Sequence, residues 1–241
     1  MIKTFLETWP QDVQLLVYAE GCNLTESAPN LKVLDLEGHS KELVAFKNKW
    51  RNVPKANGNP FPGAEKKAFK WQAVRFAHKV YAIFHAAQTC GTEWLIWMDA
   101  DMVCHSAISA ARLGELFPDT QELCFAGRSN KFTECGLYGM HLTSADIQQF
   151  LAEFQRMYDD ADNGIFTLKE WHDSYVFDAV RGKFKLRELN WSAGLIDGEG
   201  HPLINCEWGA YLDHLKGNRK DTGKSNKPRD LIKKRTEAYW Q

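Results

Sequence analysis

Residues 94–101, Trp-Leu-Ile-Trp-Met-Asp-Ala-Asp, run five large apolar side chains straight into two carboxylates one residue apart. A short apolar run of this kind, opened by Gly91-Thr92-Glu93, predicts a strand buried on both faces. Such strands belong to open α/β sheets, where ligands bind beyond the carboxyl ends of the strands. Asp99 and Asp101 are thereby placed at the rim of a sheet. Two carboxylates at i and i+2 can both reach one hard divalent cation, which prefers oxygen ligands. The competing expectation is an acidic loop that caps a following helix.

The rest of the chain alternates between strand and helix patterns. Residues 2–8 read as a short helix, 13–18 and 31–36 as strands, and 40–50 as a helix. Three prolines and two glycines within 52–63 mark a loop. Ala73, Phe76, Ala77, Val80, Phe84 and Ala87 form a helical stripe within 64–88, leading into the Trp94 strand. Further helices are expected at 106–117, from Thr143 (with Asp146 at the capping-box position) and at 170–180. Short strands are expected at 123–126, 136–141 and 185–189. This alternation predicts one α/β domain over residues 1–215, an open, mostly parallel, twisted sheet flanked by helices.

Residues 216–241 read instead as a basic tail. Between 216 and 235 nine Lys or Arg face two Asp, a local charge of +7 that leaves −8 on the rest of a chain whose net charge is −1. Such a segment either follows a polyanion or is simply solvated. No apolar run approaches the roughly 20 residues needed to span a bilayer. Met1 to Phe5 has no long apolar region of a secretory signal, so the expected compartment is the cytoplasm. The six cysteines include no C-x-x-C pair, which argues against a zinc knuckle or a redox motif. Neither a G-x-G-x-x-G after the first strand nor a G-x-x-x-x-G-K-[ST] is present, which disfavours a dinucleotide-binding or P-loop enzyme.

A second segment, His214-Leu215-Lys216-Gly217-Asn218-Arg219-Lys220, offers an imidazole, a glycine that admits close backbone approach, and cations. It could complete a metal site and grip a diphosphate together, with imidazole on the metal and ammonium on phosphate oxygens. Taken with Asp99-Ala100-Asp101, it resembles the pattern of metal-dependent glycosyltransferases of the A-type fold. Several retaining families there, the glycogenin-like enzymes among them, end in a His-x-x-Gly-x-x-Lys element, matched here by His214, Gly217 and Lys220.

The resemblance implies that Asp101, Asp99 and His214 hold Mn²⁺ or Mg²⁺, which bridges the diphosphate of a nucleotide sugar, a UDP-sugar first among the donors. It ranks Asp101 above Asp99, assigns Lys220 to the phosphates and leans towards retention. Arg75 and Lys79, four apart on the long helix, become candidates for the donor sugar or its phosphate. Asp173, with His172 as partner, is the candidate contact to the donor sugar or acceptor hydroxyl; its alternative role is at a helix N-terminus. Glu134 ranks below it as a residue lining the sugar pocket. The usual first strand of the fold has no counterpart before residues 2–8, so no residue is assigned to the nucleotide base.

Trp-Pro-x-Asp before the early strand and Trp-His-Asp-Ser-Tyr later resemble compact bacteriophage and bacterial enzymes, with the host cytoplasm as compartment if phage-encoded. That implies, as one acceptor, a hydroxymethylated base in DNA, with the basic tail on the phosphate backbone. A surface glycan or lipid-linked acceptor is the alternative. Outside this class stand a nucleotidyltransferase, which usually needs a Gly-rich triphosphate loop not seen here, and a non-enzymatic nucleic-acid-binding protein using the tail.

Overall fold

The computed structural model describes residues 1–195, 200–217, 219–225 and 229–241; positions 218 and 226–228 of the basic segment lie outside the described residues. Helix α1 (Ile2–Thr8) precedes the parallel pair β1 (Leu15–Ala19) and β2 (Leu31–Asp35). Helices α2 (Leu36–His39), α3 (Lys41–Trp50) and α4 (Ala73–Thr89) follow, then β3 (Trp94–Met98) and β4 (Met102–Cys104). The second half holds α5 (Ala110–Leu116), β5 (Leu123–Ala126), β6 (Glu134–His141), α6 (Ala145–Asp159), α7 (Asp173–Arg181) and β7 (Glu188–Asn190). Short α8 (Pro202–Asn205), β8 (Leu212–His214) and α9 (Arg219–Thr222) complete the series.

The expected α/β class is present, but its sheets are small and mixed rather than mostly parallel. The four-stranded sheet runs β3-β6-β5-β7, with β6 antiparallel to both neighbours and β5 parallel to β7. Only residues 127–133 join β5 to β6, too few for the dozen or more that a parallel crossover needs, so β6 must return antiparallel. A register shift between Phe125 and Ala126 leaves Cys135 to Leu137 irregular opposite β5. Such bulges re-aim side chains at the end of a strand.

β3 is also not the doubly buried central strand expected. It lies at the edge of this sheet, and all five of its residues are half-buried, while β5 is buried throughout. Both of its faces are nevertheless apolar. Leu95 and Trp97 join the core under α3, α4, α6 and α7, while Trp94, Ile96 and Met98 join the one under α1 and α5. The strand's alternation thus divides the two cores. Each fully buried Leu or Phe in them, such as Leu43 or Phe150, contributes about 1.5–3 kcal/mol.

The helix expected over 64–88 divides in two. Ala64–Trp71 is a 3₁₀ segment with non-helical backbone at Lys67, and the α-helix begins at Ala73. The Lys70 carbonyl accepts from the Trp171 and His172 amides and the Trp71 carbonyl from Gly58, which diverts them from an i+4 ladder. At α6 the cap is Ser144, whose hydroxyl accepts from the Ile147 amide; Asp146 lies in the first turn, where the helix dipole favours a carboxylate, and forms no capping box.

The basic segment is no free tail. Leu231 and Trp240 bury against Ile204, and the Trp240 indole donates to the Gly209 carbonyl at 2.6 Å. The Tyr239 hydroxyl donates to Asp213 at 2.9 Å, and the Ser225 amide to the same carboxylate at 2.7 Å. A charge count passes over two apolar anchors of this size. No helix of the described residues is long and apolar enough to cross a membrane.

Candidate metal centre

Two ladders bring the two acidic and basic motifs to one place. The Asp99 amide donates to the Gly136 carbonyl at 2.8 Å, which ends β3, and the Met102 amide donates back to Asp99 at 3.1 Å, which turns the chain into β4. β8 lies antiparallel on β4 with Met102 opposite His214, and the Leu215 amide donates to the Asp101 carbonyl at 2.9 Å. His214 Nε2 consequently lies 3.0 Å from Asp101 Oδ1 and 3.8 Å from Asp99 Oδ2. Lys220 Nζ lies 3.1 Å from Asp101 Oδ2. Gly217, with φ at +64°, supplies the left-handed turn that brings Lys220 back.

Asp99, Asp101 and His214 together could hold one metal ion. Adjacent ligands of an octahedral cation with bonds of 2.0–2.1 Å stand about 3.0 Å apart. The His214–Asp101 separation of 3.0 Å meets that geometry. Two carboxylates and one imidazole are a donor set that a divalent cation can use. Asp99 is fixed for a single-oxygen role: the Trp97 indole donates to Oδ1 at 2.7 Å and Lys79 at 2.9 Å, which leaves Oδ2 towards His214. Burial pushes the Asp101 carboxyl up, but His214 and Lys220 outweigh it and hold the group far below the usual carboxylate range.

Lys79 ties the centre to α7. Its ammonium pairs with Asp99 Oδ1 at 2.9 Å and Asp173 Oδ2 at 2.8 Å, and it donates to the Cys135 carbonyl. Burial opposes its charge, yet Asp173 and Asp99 together raise its pKa well above the ordinary lysine value. Burial likewise pushes Asp173 up, and Lys79 more than reverses it. Asp173 is in the first turn of α7, the helix-start setting expected as its alternative, and Lys79 links it to Asp99.

The other expected residues take different places. Arg75 is exposed on α4 and bonds Gln72 at 3.2 Å, apart from the acids. His172 caps α7: its Nδ1 accepts from the Tyr175 amide, and its Nε2 faces Glu170 at 3.1 Å. Both ring nitrogens therefore have structural roles. Glu134 does not line an open pocket; its side chain is fully buried beneath the three candidate ligands. There its oxygens pair with Arg128 and, at 3.3 Å, with Lys216, and face His214 Nδ1 and His201 Nε2 at 3.5 Å each.

Arg128, Gly136 and His201 were not singled out in the sequence; His201 meets Glu134 only through long-range packing, and the contacts of Arg128 and Gly136 depend on how the chain turns into β6. A cleft of about 350 Å³ opens beside Arg128 at the ends of β5 and β7, lined in part by Gly127, Arg128, Asp178, Arg181 and Asn190. No protein-family model matches the chain, and no curated protein matches it.

Proposed function

We propose that the chain is a metal-dependent glycosyltransferase of the A-type fold, which moves a sugar from a nucleotide-diphosphate sugar to an acceptor hydroxyl. The observation that carries this reading is the meeting of Asp99 and Asp101 with His214, supplied from 113 residues further along the chain, with Lys220 beside them. The cation, when bound, supplies Lewis-acid neutralisation of the charge that develops on the leaving diphosphate. Asp99 offers Oδ2, Asp101 its carboxylate and His214 its Nε2 to that cation. Lys220, whose side chain is 57% exposed, is free enough to exchange Asp101 for phosphate oxygens. Asp173, held by Lys79, is the acid this reading assigns to a hydroxyl of donor or acceptor.

For the acceptor we propose a hydroxyl presented beside the cleft at the ends of β5 and β7, where ligands of α/β sheets gather. Exposed Lys233 and Lys234 of the basic segment favour an acceptor that carries phosphates, a hydroxymethylated base in DNA among them. The cytoplasm is the compartment this reading implies.

Incubation with Mn²⁺ and a panel of nucleotide sugars tests the activity. Slow release of nucleoside diphosphate is expected from the parent chain and its loss from Asp101→Ala; release that survives that substitution removes the metal assignment. Absence of nucleotide-sugar binding across the panel favours the nucleic-acid-binding alternative. Nucleoside masses after reaction with hydroxymethylated and unmodified DNA test the acceptor.

A further inference from the structure

The two nitrogens of His214 meet different surroundings. Nε2 faces Asp101 and Asp99, whereas Nδ1 faces Glu134 Oε1 at 3.5 Å and has no hydrogen-bond partner. Both side chains are fully buried. An imidazole that binds a cation through Nε2 must keep that lone pair free, so its one proton has to be on Nδ1. Among the described residues, Glu134 is the carboxylate in reach of that nitrogen.

Glu134 is itself held in place. Arg128 pairs with Oε2, Lys216 lies 3.3 Å from Oε1, and the Gly136 amide donates to Oε1 at 3.3 Å. Glu134, His201 and His214 also cluster closely enough to ligate a metal of their own. The Arg128 and Lys216 charges already neutralise that carboxylate, and a further divalent charge beside them is electrostatically opposed.

We propose that Glu134 is the positioning residue of the metal centre: when a divalent cation replaces the hydrogen bond between His214 Nε2 and Asp101, Glu134 accepts a hydrogen bond from Nδ1–H and so favours the tautomer that presents Nε2 to the cation. This rests on the reading of Asp99, Asp101 and His214 as that centre.

Calorimetric titration of the whole chain with Mn²⁺ provides the test, comparing the parent with Asp101→Ala, Glu134→Gln, Glu134→Asp, His214→Gln and the Glu134→Gln/His214→Gln double variant. Glu134→Gln is expected to weaken Mn²⁺ binding by about 10- to 100-fold and to add nothing in the His214→Gln background. Nitrogen NMR of the Mg²⁺-loaded parent is expected to show His214 protonated at Nδ1, a preference that Glu134→Gln erodes. Glu134→Asp keeps the charge that Arg128 and Lys216 need, and carries the affinity comparison if the glutamine variant does not fold; its expected effect has the same direction and is smaller. Binding by Glu134→Gln within twofold of the parent, losses that add in full to those of His214→Gln, or a second bound equivalent that His201→Ala removes would each overturn the proposal. If Asp101→Ala abolishes binding while Glu134→Gln leaves it intact, the positioning role alone fails. A parent chain that binds no Mn²⁺ removes the metal centre and the positioning role together.

Discussion

The imidazole of His214 lies directly against the backbone of Gly136: a β-carbon there would sit 2.6 Å from its Cε1 and 2.8 Å from its Nδ1. The same glycine accepts the Asp99 amide through its carbonyl. One residue without a side chain thus sets the position of an acid and makes room for the histidine.

Gly136→Ala is therefore expected to displace the ring, since the added carbon meets the buried imidazole on one side and the end of the Met102 side chain closes the space at 3.0 Å on another. Overpacking of this kind costs about 1–3 kcal/mol. Urea unfolding should show that loss, and Mn²⁺ affinity should fall by about tenfold or more as the ring moves. Unchanged stability and affinity would mean that the backbone yields without strain.

Lys79→Met tests the buried link between the acids. Its removal leaves Asp99 and Asp173 facing each other without the cation that lies 2.9 and 2.8 Å from them. Breaking a buried pair from one side costs about 3–5 kcal/mol. The urea midpoint is expected to drop accordingly, whereas Arg75→Met, on the exposed face, should change stability by less than about 0.5 kcal/mol.

His105 gives the fold an acid-sensitive contact. Its ring stacks on Tyr239 with centroids 4.1 Å apart, and burial lowers its pKa from 6.5 to about 4. Above about 6.5 the ring is neutral in both folded and unfolded chains, so its contribution is complete. As pH falls from there towards about 4 the unfolded chain takes up the proton first, and stability declines across that window. Melting temperatures measured across it should fall in the parent and fall less in His105→Phe, which keeps a ring and cannot titrate.

Trp240 tests whether the basic segment belongs to the domain. It is completely buried, and truncation to Ala is expected to cost about 3–5 kcal/mol. Trypsin should then cut faster than in the parent at Arg235, whose side chain the docked segment buries. Equal cleavage of both proteins would contradict the docked arrangement.

Local patterns made much of this legible. The apolar run of β3 and the helical stripe of α4 announce themselves because burial follows a short period in sequence. Asp99, Asp101, His214 and Lys220 carry chemistry in their residue types and spacing. Arg75 and Lys79 share one helix face by spacing, but only packing decides that Lys79 turns inward. The direction of β6 was in fact written in the seven residues that follow β5, too few for a crossover. Glu134 was a candidate, but its buried place behind His214 was not legible, nor were Gly136 and His201, since these contacts arise from strands and loops that meet only in three dimensions. The charge of residues 216–235 concealed Leu231, and Trp240 lies beyond that stretch.

The β4–β8 ladder also has a consequence for biosynthesis. Asp101 leaves the ribosome 113 residues before His214, a delay of roughly 6–23 s at ordinary rates of translation. During that interval the acids have no imidazole, and Lys79 on α4, already made, is the cation at hand for Asp99. The proposed cation site is thus finished late in synthesis, and a chain interrupted before β8 would carry both acids without His214.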